Sequence, residues 1–226
     1  MAWIMCGRYT LTKKNPSEFL DHFGPFEGLE KASFNRAPGQ AHPVVIKREN
    51  QFSWTSIQWG EYQRKNGHET GFFPINARSE TIGEKAIFAS SFRERRCLIP
   101  ADGWFEWQKI ESQKYPFFHR LPNFLPFAIA GIWKPKEKRR ESAFSILTTS
   151  APSNLSHIHS RVPVILHQKI WNHWMDPESS EPELQEILKL KPPEIYAYQV
   201  NFSVNSSRND GPDLLLPGSG KQALLF

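Results

Sequence analysis

Apolar positions in this chain gather in short clusters rather than in long periodic stretches. Helical spacing appears in four places. Phe19, Leu20 and Phe23 follow Asn15-Pro16, a pair suited to capping and starting a helix. Ile87, Phe88, Ser91 and Phe92 mark a second helix, and Ile170 to Met175 a third. A fourth is predicted over Glu183 to Leu190, with Leu184, Ile187 and Leu188 on one face. Elsewhere β-prone runs predominate: Val44 to Lys47, Phe52 to Trp59, Phe117 to Leu121, Phe127 to Trp133, Phe144 to Thr148, Val162 to Leu166 and Ile195 to Val200. Pro or Gly punctuates nearly all of them. Many short strands with helices around them predict an α+β fold, mainly β, built on a curved, barrel-like antiparallel sheet with peripheral helices.

No internal repeat or linker-like run divides the sequence, so residues 1–226 read as a single domain. With 39% hydrophobic residues spread from end to end, a core is within reach and disorder is excluded as a general description. The 28 Lys+Arg against 23 Asp+Glu give a net charge of +5, which admits a polyanionic partner without demanding one. No window approaches the roughly 18 uninterrupted apolar residues of a membrane span. The opening Met1-Ala2-Trp3-Ile4-Met5 is too short and uncharged to be a signal peptide, so a bacterial-type cytosol or a nucleus is expected and a membrane partner is not. Cys6 and Cys97 are the two cysteines, too few for a disulfide framework or a Cys-based zinc site.

Candidate chemistry sits in the expected turns and strand ends. If Cys6 became the first residue, its amine and thiol would lie on adjacent carbons, and such a 1,2-aminothiol captures aldehydes. The same hexapeptide Met5-Cys6-Gly7-Arg8-Tyr9-Thr10 also fits a buried Cys at a strand start. Glu106 lies between Phe105 and Trp107; held against them it would be partly desolvated and suited to general acid/base work. Alternation in a strand would instead let it point to solvent while its neighbours pack. His157 and His159 would share one face of an extended segment, which fits a metal pair, a single catalytic His or a structural one. No further Cys/His cluster supports a metal, so none is expected.

Six segments occur in one order: Cys6-Gly7-Arg8-Tyr9; Asn35-Arg36-Ala37-Pro38-Gly39 with Pro43-Val44; Trp59-Gly60; Asn76-Ala77-Arg78-Ser79-Glu80-Thr81; Asp102-Gly103-Trp104-Phe105-Glu106-Trp107; and His159-Ser160-Arg161-Val162-Pro163. Val200-Asn201 through Asn209-Asp210-Gly211-Pro212 adds a closing pattern. This ordered set resembles the SRAP family, the SOS response-associated peptidases, from Met5 to about Leu216. The resemblance implies a cytoplasmic, monomeric, cofactor-free sensor of abasic sites in single-stranded DNA, nucleoid-associated when bound. It would form a thiazolidine DNA-protein crosslink through an N-terminal Cys. Matched residue by residue, Cys6 is the nucleophile, Asn76 holds the reacting end, Glu106 moves protons to and from the amine, and His159 assists opening of the sugar ring. Arg8, Arg78 and Arg161 match phosphate contacts, each also readable as a surface ion pair. Pro38 and Trp107 match positions that pack on bases beside the lesion, with a core role for Trp107 the other reading.

The sequence departs from the family in two places. Glu61-Tyr62-Gln63 follow Trp59-Gly60 where an aliphatic residue and Pro are usual. Met1 to Met5 precede Cys6, placing an amide where the chemistry needs a free amine; either Met5 is the true start or the extension is removed. Two other function classes compete. A cysteine peptidase would use Cys6, His159 and Glu106 on a peptide bond, including the one before Cys6. A DNA-binding module without covalent chemistry would tolerate Cys6→Ala. Gly218-Ser219-Gly220-Lys221 resembles a phosphate loop but lacks the Ser/Thr after Lys and room for a following helix.

Overall fold

The computed structural model describes residues 7–14, 16–26, 31–49, 51–65, 68–135 and 142–218, and for 61–72 the backbone alone. Cys6, the residues before it, Asn15 and Ser219 to Lys221 lie outside the described residues. The strands are β1 (Arg8–Leu11), β2 (Ser33–Arg36), β3 (Ala41–Arg48), β4 (Gln51–Trp59), β5 (Glu61–Lys65), β6 (His68–Phe73), β7 (Asn76–Arg78), β8 (Arg96–Ala101), β9 (Gly103–Ile110), β10 (Gln113–Arg120), β11 (Phe127–Lys134), β12 (Ala143–Ser150), β13 (Arg161–Pro163), β14 (Ile165–Leu166) and β15 (Tyr196–Gln199). The helices are α1 (Ser17–Phe23), α2 (Ala86–Glu94), α3 (Trp171–Met175) and α4 (Glu181–Leu188). None of them is long and apolar enough to cross a membrane.

The larger sheet closes on itself. β12 pairs with β4, β4 with β3, β3 with β8, β8 with β11, and β11 again with β12. Closure leaves two buried faces, and the period-two alternation of the strands fills both. Val44 and Ile46, Cys97 and Ile99, Phe127 and Ile129, and Phe144 and Ile146 share one core cluster. Their neighbours Val45, Leu98, Ala128, Ala130, Ile132 and Leu147 belong to a second cluster, with Phe19, Phe88, Phe92, Trp171, Trp174 and Leu184 from the four helices. Strands buried on both faces read as near-continuous apolar runs, which is why β3, β11 and β12 stand out in the sequence.

The expected antiparallel pattern has one exception, on β12. β4 meets it in parallel at Ala143 and Phe144, and β7 meets it in parallel at Ile146 to Thr148. The β5–β6 hairpin is an excursion between these two pairings. Gly60 turns the chain out with φ at 70°, and its N–H donates to the Phe144 carbonyl at 2.9 Å. The buried Trp59 indole donates to the Ile75 carbonyl at 2.8 Å, tying the two ends of the excursion together. The unusual Glu61-Tyr62-Gln63 therefore begins a hairpin rather than a loop.

α4 and the residues around Pro100 also differ from the sequence expectation. The fourth helix begins two residues earlier than predicted because Ser180 and Glu183 form a capping box with Pro182 in the first turn. Residues 96–101 and 103–110, which lie outside the predicted β-prone runs, form β8 and β9. Pro100 is tolerated in β8 because the β3 ladder reaches only Cys97 and Leu98, leaving Pro100 paired on its β11 side alone.

A second sheet has the order β15-β10-β9-β1-β2. Tyr9 and Trp104 join the first core cluster, whereas Phe105 and Phe118 pack with Val200, Val204 and Leu214 on the other side. Gly103 has to be glycine: a Cβ there would stand 2.2 Å from the Phe118 ring and 2.8 Å from the His119 carbonyl.

Two histidines make the fold sensitive to acid. His42 and His119 are each 1% exposed, and burial pulls both down to about 3 from 6.5. Once the pH falls through about 6.5 the unfolded chain binds protons at both rings and the folded chain does not. Stability therefore drops on acidification, by up to about 1.4 kcal/mol per pH unit for each ring. The urea midpoint should fall between about pH 7 and about pH 5.5, where carboxylates hardly titrate. An unchanged midpoint would show that neither ring is held neutral.

Candidate functional site

β1 is fastened before it reaches the site. The buried Asp102 carboxylate accepts from the Thr10 hydroxyl at 2.6 Å, from the Thr12 N–H at 2.6 Å and hydroxyl at 2.7 Å, and from the Lys13 N–H at 3.0 Å. Bonds to a buried carboxylate are strong, so they pin the strand's end and its register. Arg8 stands opposite Phe105, Tyr9 opposite Trp104 and Thr10 opposite Gly103, and the same register carries Gly7 beside Glu106. Gly7, Arg8, Glu106, Trp107, Lys114, His159 and Asn205 line a cleft of about 270 Å³.

Glu106 is 1% exposed. The expectation that it lies against Phe105 and Trp107 is corrected by strand alternation: those two side chains face the Val204 side, and Glu106 faces the opposite one. What it faces is His159, whose Nδ1 lies 3.9 Å from Glu106 Oε2. The solvent-pointing alternative for Glu106 is excluded, because β9 is covered on both faces at this position.

His157 and His159 do not share an extended face. Residues Pro152 to His159 coil in consecutive turns, with Pro152 O accepting from Leu155 and Ser156 and Leu155 O from Ile158 and His159. Leu155 and Ile158 anchor the coil in the first core cluster, and Gln108 donates to the His157 carbonyl at 3.1 Å. His157 is left exposed while His159 turns in. The Arg161 backbone meets the His159 ring at Nδ1: its N–H, at 3.1 Å, donates when that nitrogen carries no proton, and its carbonyl, at 3.2 Å, accepts in the other tautomer. Burial, reinforced by the Arg161 charge and opposed by the backbone bond, lowers the His159 pKa, so the ring is neutral near pH 7.

The arginines divide. Arg8 is half-buried at the cleft, its Nε has no partner among the described residues, and burial lowers its pKa. Arg78 is exposed at the end of β7. Arg161 makes a two-pronged pair with Glu80, at 2.6 and 2.7 Å, and also reaches the Thr148 carbonyl. That pair holds the Glu80 carboxyl below the usual carboxylate range.

Asn76 and Arg78 lie on β7 and Pro38 in the turn before β3; none of the three lines the cleft. β7 and β13 flank β12 at Thr148, which pairs with Arg78 on one side and with Pro163 on the other, so Asn76 and Arg78 lie across β12 from the strand that begins at Arg161. Cys97 is fully buried, and burial pushes its thiol far up.

Lys114 and Asn205 were not apparent as site residues from the sequence. Asn205 sits on a loop that Asn35 holds by donating to the carbonyls of Val204, Ser206 and Asn209. Asp210 adds bonds to the Ser33 hydroxyl and the Phe34 N–H. The loop in turn fixes Trp107, whose indole N–H donates to Asn205 Oδ1 at 2.7 Å. The Asn-rich closing pattern of the sequence is thus a clamp on one wall of the cleft.

A closed barrel with an N-terminal strand laid beside a buried carboxyl-histidine pair defines the class. The chain belongs to the family described as SOS response associated peptidase (SRAP), whose sequence pattern matches residues 5–207. It is 33% identical to the abasic site processing protein YoqW of Bacillus subtilis, over 93% of this chain and 99% of that protein. It is 28% identical to the abasic site processing protein YedK of Escherichia coli, over 94% and 100% of the two chains. Against the abasic site processing protein HMCES of Rattus norvegicus the identity is 30%, over 82% of this chain and 65% of the rat protein. Among solved structures, a phage-related protein of Bordetella bronchiseptica superposes with a TM-score of 0.69 at 26% identity, over 86% of this chain and 94% of that one. A Bacteroides thetaiotaomicron protein shares the fold, with a TM-score of 0.67 at 22% identity over 92% of each chain.

Proposed function

We propose that this protein recognises abasic sites in single-stranded DNA and captures them covalently through Cys6. The observation that carries the reading is the convergence of Gly7 and Arg8, immediately after Cys6, on the buried Glu106 and His159. The relatives' shared description as abasic site processing proteins supports the substrate class.

The chemistry balances without a cofactor. The free Cys6 amine adds to the aldehyde carbon of the ring-opened deoxyribose, and loss of one water gives a Schiff base. The thiol sulfur then bonds to the imine carbon while its proton passes to nitrogen, closing the thiazolidine. Glu106 takes and returns the protons of the addition and dehydration steps, His159 assists opening of the sugar ring, and Asn76 steadies the reacting end. Arg8 and Arg78 hold phosphates. A phosphate that reaches Arg161 shares its guanidinium with Glu80, so Arg161 serves first as the strut that fixes His159. Trp107 and Pro38 pack on flanking bases, which reads damage without reading sequence. With DNA as its partner, the protein works beside the nucleoid in the cytoplasm, as one domain.

The test is a chain beginning at Cys6 mixed with a single-stranded oligonucleotide carrying one abasic site, beside an intact control. A denaturing gel should show one adduct, with a mass equal to the sum of the two molecules less one water, and none with intact DNA. An absent adduct, or an equal one with intact DNA, overturns the reading. A peptidase acting at Cys6 would instead release peptide without retaining DNA.

A further inference from the structure

The Glu80–Arg161 pair sits where β7 and β12 end and β13 begins. Ser150, the last residue of β12, stands opposite Arg161 on β13, and two residues before it Thr148 stands opposite Arg78 on β7. β7 runs parallel to β12, so the turn after β7 carries Glu80 alongside Ser150, whose hydroxyl donates to Glu80 Oε1 at 3.5 Å. Glu80 and Arg161 thus meet across the tip of β12.

A guanidinium has five N–H donors. In Arg161, Nη1 donates to Glu80 Oε1 at 2.6 Å and to the Ser150 hydroxyl at 3.4 Å. Nη2 donates to Glu80 Oε2 at 2.7 Å and to the Thr148 carbonyl, and Nε is buried. No N–H of Arg161 is therefore open to a phosphate while both prongs of the pair stand. The Arg161 side chain is 11% exposed against 44% for Glu80, so Glu80 is the member of the pair that meets solvent. An arginine already neutralised by a carboxylate adds little to the counterion release that drives backbone binding. The backbone of the same Arg161 meets the His159 ring at Nδ1, so fixing the guanidinium also fixes the residue that orients the ring.

We propose that Glu80 is a positioning residue that withholds Arg161 from the DNA backbone and keeps it placed against His159. The inference rests on the single-stranded DNA reading above and adds a source of selectivity to it. A phosphate carries no mark of damage, so every open arginine strengthens binding to intact strand and lesion alike. Withholding one lowers the affinity for intact DNA, while capture keeps its histidine in place.

The experiment is anisotropy with intact single-stranded DNA at several salt concentrations, for wild type, E80Q, R161Q, the double variant and an E186Q control that breaks the exposed Glu186–Lys189 pair of α4. E80Q leaves Arg161 its charge and frees a prong, so binding should tighten and the log-log salt slope steepen by up to about 0.7. E186Q should leave both unchanged. In the R161Q background, E80Q should lose its effect, which separates a released arginine from the mere loss of a negative charge. Single-turnover capture of abasic DNA at saturating protein, in the chain that begins at Cys6, should slow in E80Q by up to the roughly 10²-fold that a misplaced group costs. Tighter binding with slower capture is a split that loss of fold does not produce. R161M, which keeps an apolar stem, replaces R161Q if a melting curve shows R161Q unfolded. A wild-type slope in E80Q, a steepening that survives in the R161Q background, or capture by E80Q within about twofold of wild type overturns the proposal. Wild type that binds no single strand, or captures no abasic site, removes the reading beneath it instead.

Discussion

Offered single-stranded DNA with one abasic site, a chain that begins at Cys6 is expected to become trapped, and a chain that keeps Met1 to Met5 is expected to trap none. The difference lies in one nitrogen. In the longer chain the Cys6 nitrogen is an amide, its lone pair is delocalised into the carbonyl, and it cannot form a Schiff base. The thiol alone gives a hemithioacetal that falls apart on denaturation. Cys6→Ser in the shorter chain keeps the amine and loses the sulfur, so it should give an imine that a denaturing gel does not retain unless it is reduced. Cys97→Ser should trap as wild type does, because Cys97 is fully buried and burial disfavours its thiolate. Both lengths, with N-termini verified by mass, are compared against the same oligonucleotide. Stable adduct from the verified Met1 form would mean that the Cys6 amine is not the reacting group.

The barrel is legible in the sequence where strands are buried on both faces. β3, β11 and β12 read as apolar runs because one set of alternating residues fills the interior and the other meets the helices. Residues 96–110 are opaque for the opposite reason. Pro100, Asp102 and Gly103 carry turn chemistry, yet Pro100 sits past the last β3–β8 pair, Asp102 holds β1, and Gly103 lies against a Phe118 ring. Local pattern cannot show that a punctuating residue has been recruited by a distant strand. The site has the same character. Glu106 and His159 come from separate parts of the chain, and only a resemblance of ordered motifs pairs them before the fold is known. The same resemblance takes Arg161 as a phosphate contact, but Glu80 as its partner depends on β7 and β13 both meeting β12. Lys114 becomes visible only through the β9–β10 register.

Replacing Glu106 by Gln is expected to slow adduct formation by about 10²- to 10⁴-fold, the range over which positioned acid/base groups act, while leaving affinity for intact single strands within about twofold of wild type. Gln keeps the shape of the buried side chain and its hydrogen-bonding capacity but cannot exchange a proton. Capture requires proton movement at least twice, once as the amine adds and once as water leaves. Glu106 lies at the cleft with its Oε2 3.9 Å from the ring that Arg161 fixes, and no other carboxyl lines this cleft among the described residues. His159→Ala should slow the same reaction, with the two defects less than additive because the groups serve one sequence of transfers. Single-turnover crosslinking beside anisotropy separates chemistry from binding, and a melting curve confirms that each variant is folded. If Glu106→Gln traps abasic DNA at a rate within threefold of wild type, the proton transfers belong to water or to another group, and the buried carboxyl has to be reassigned to holding β9 against the His159 turn.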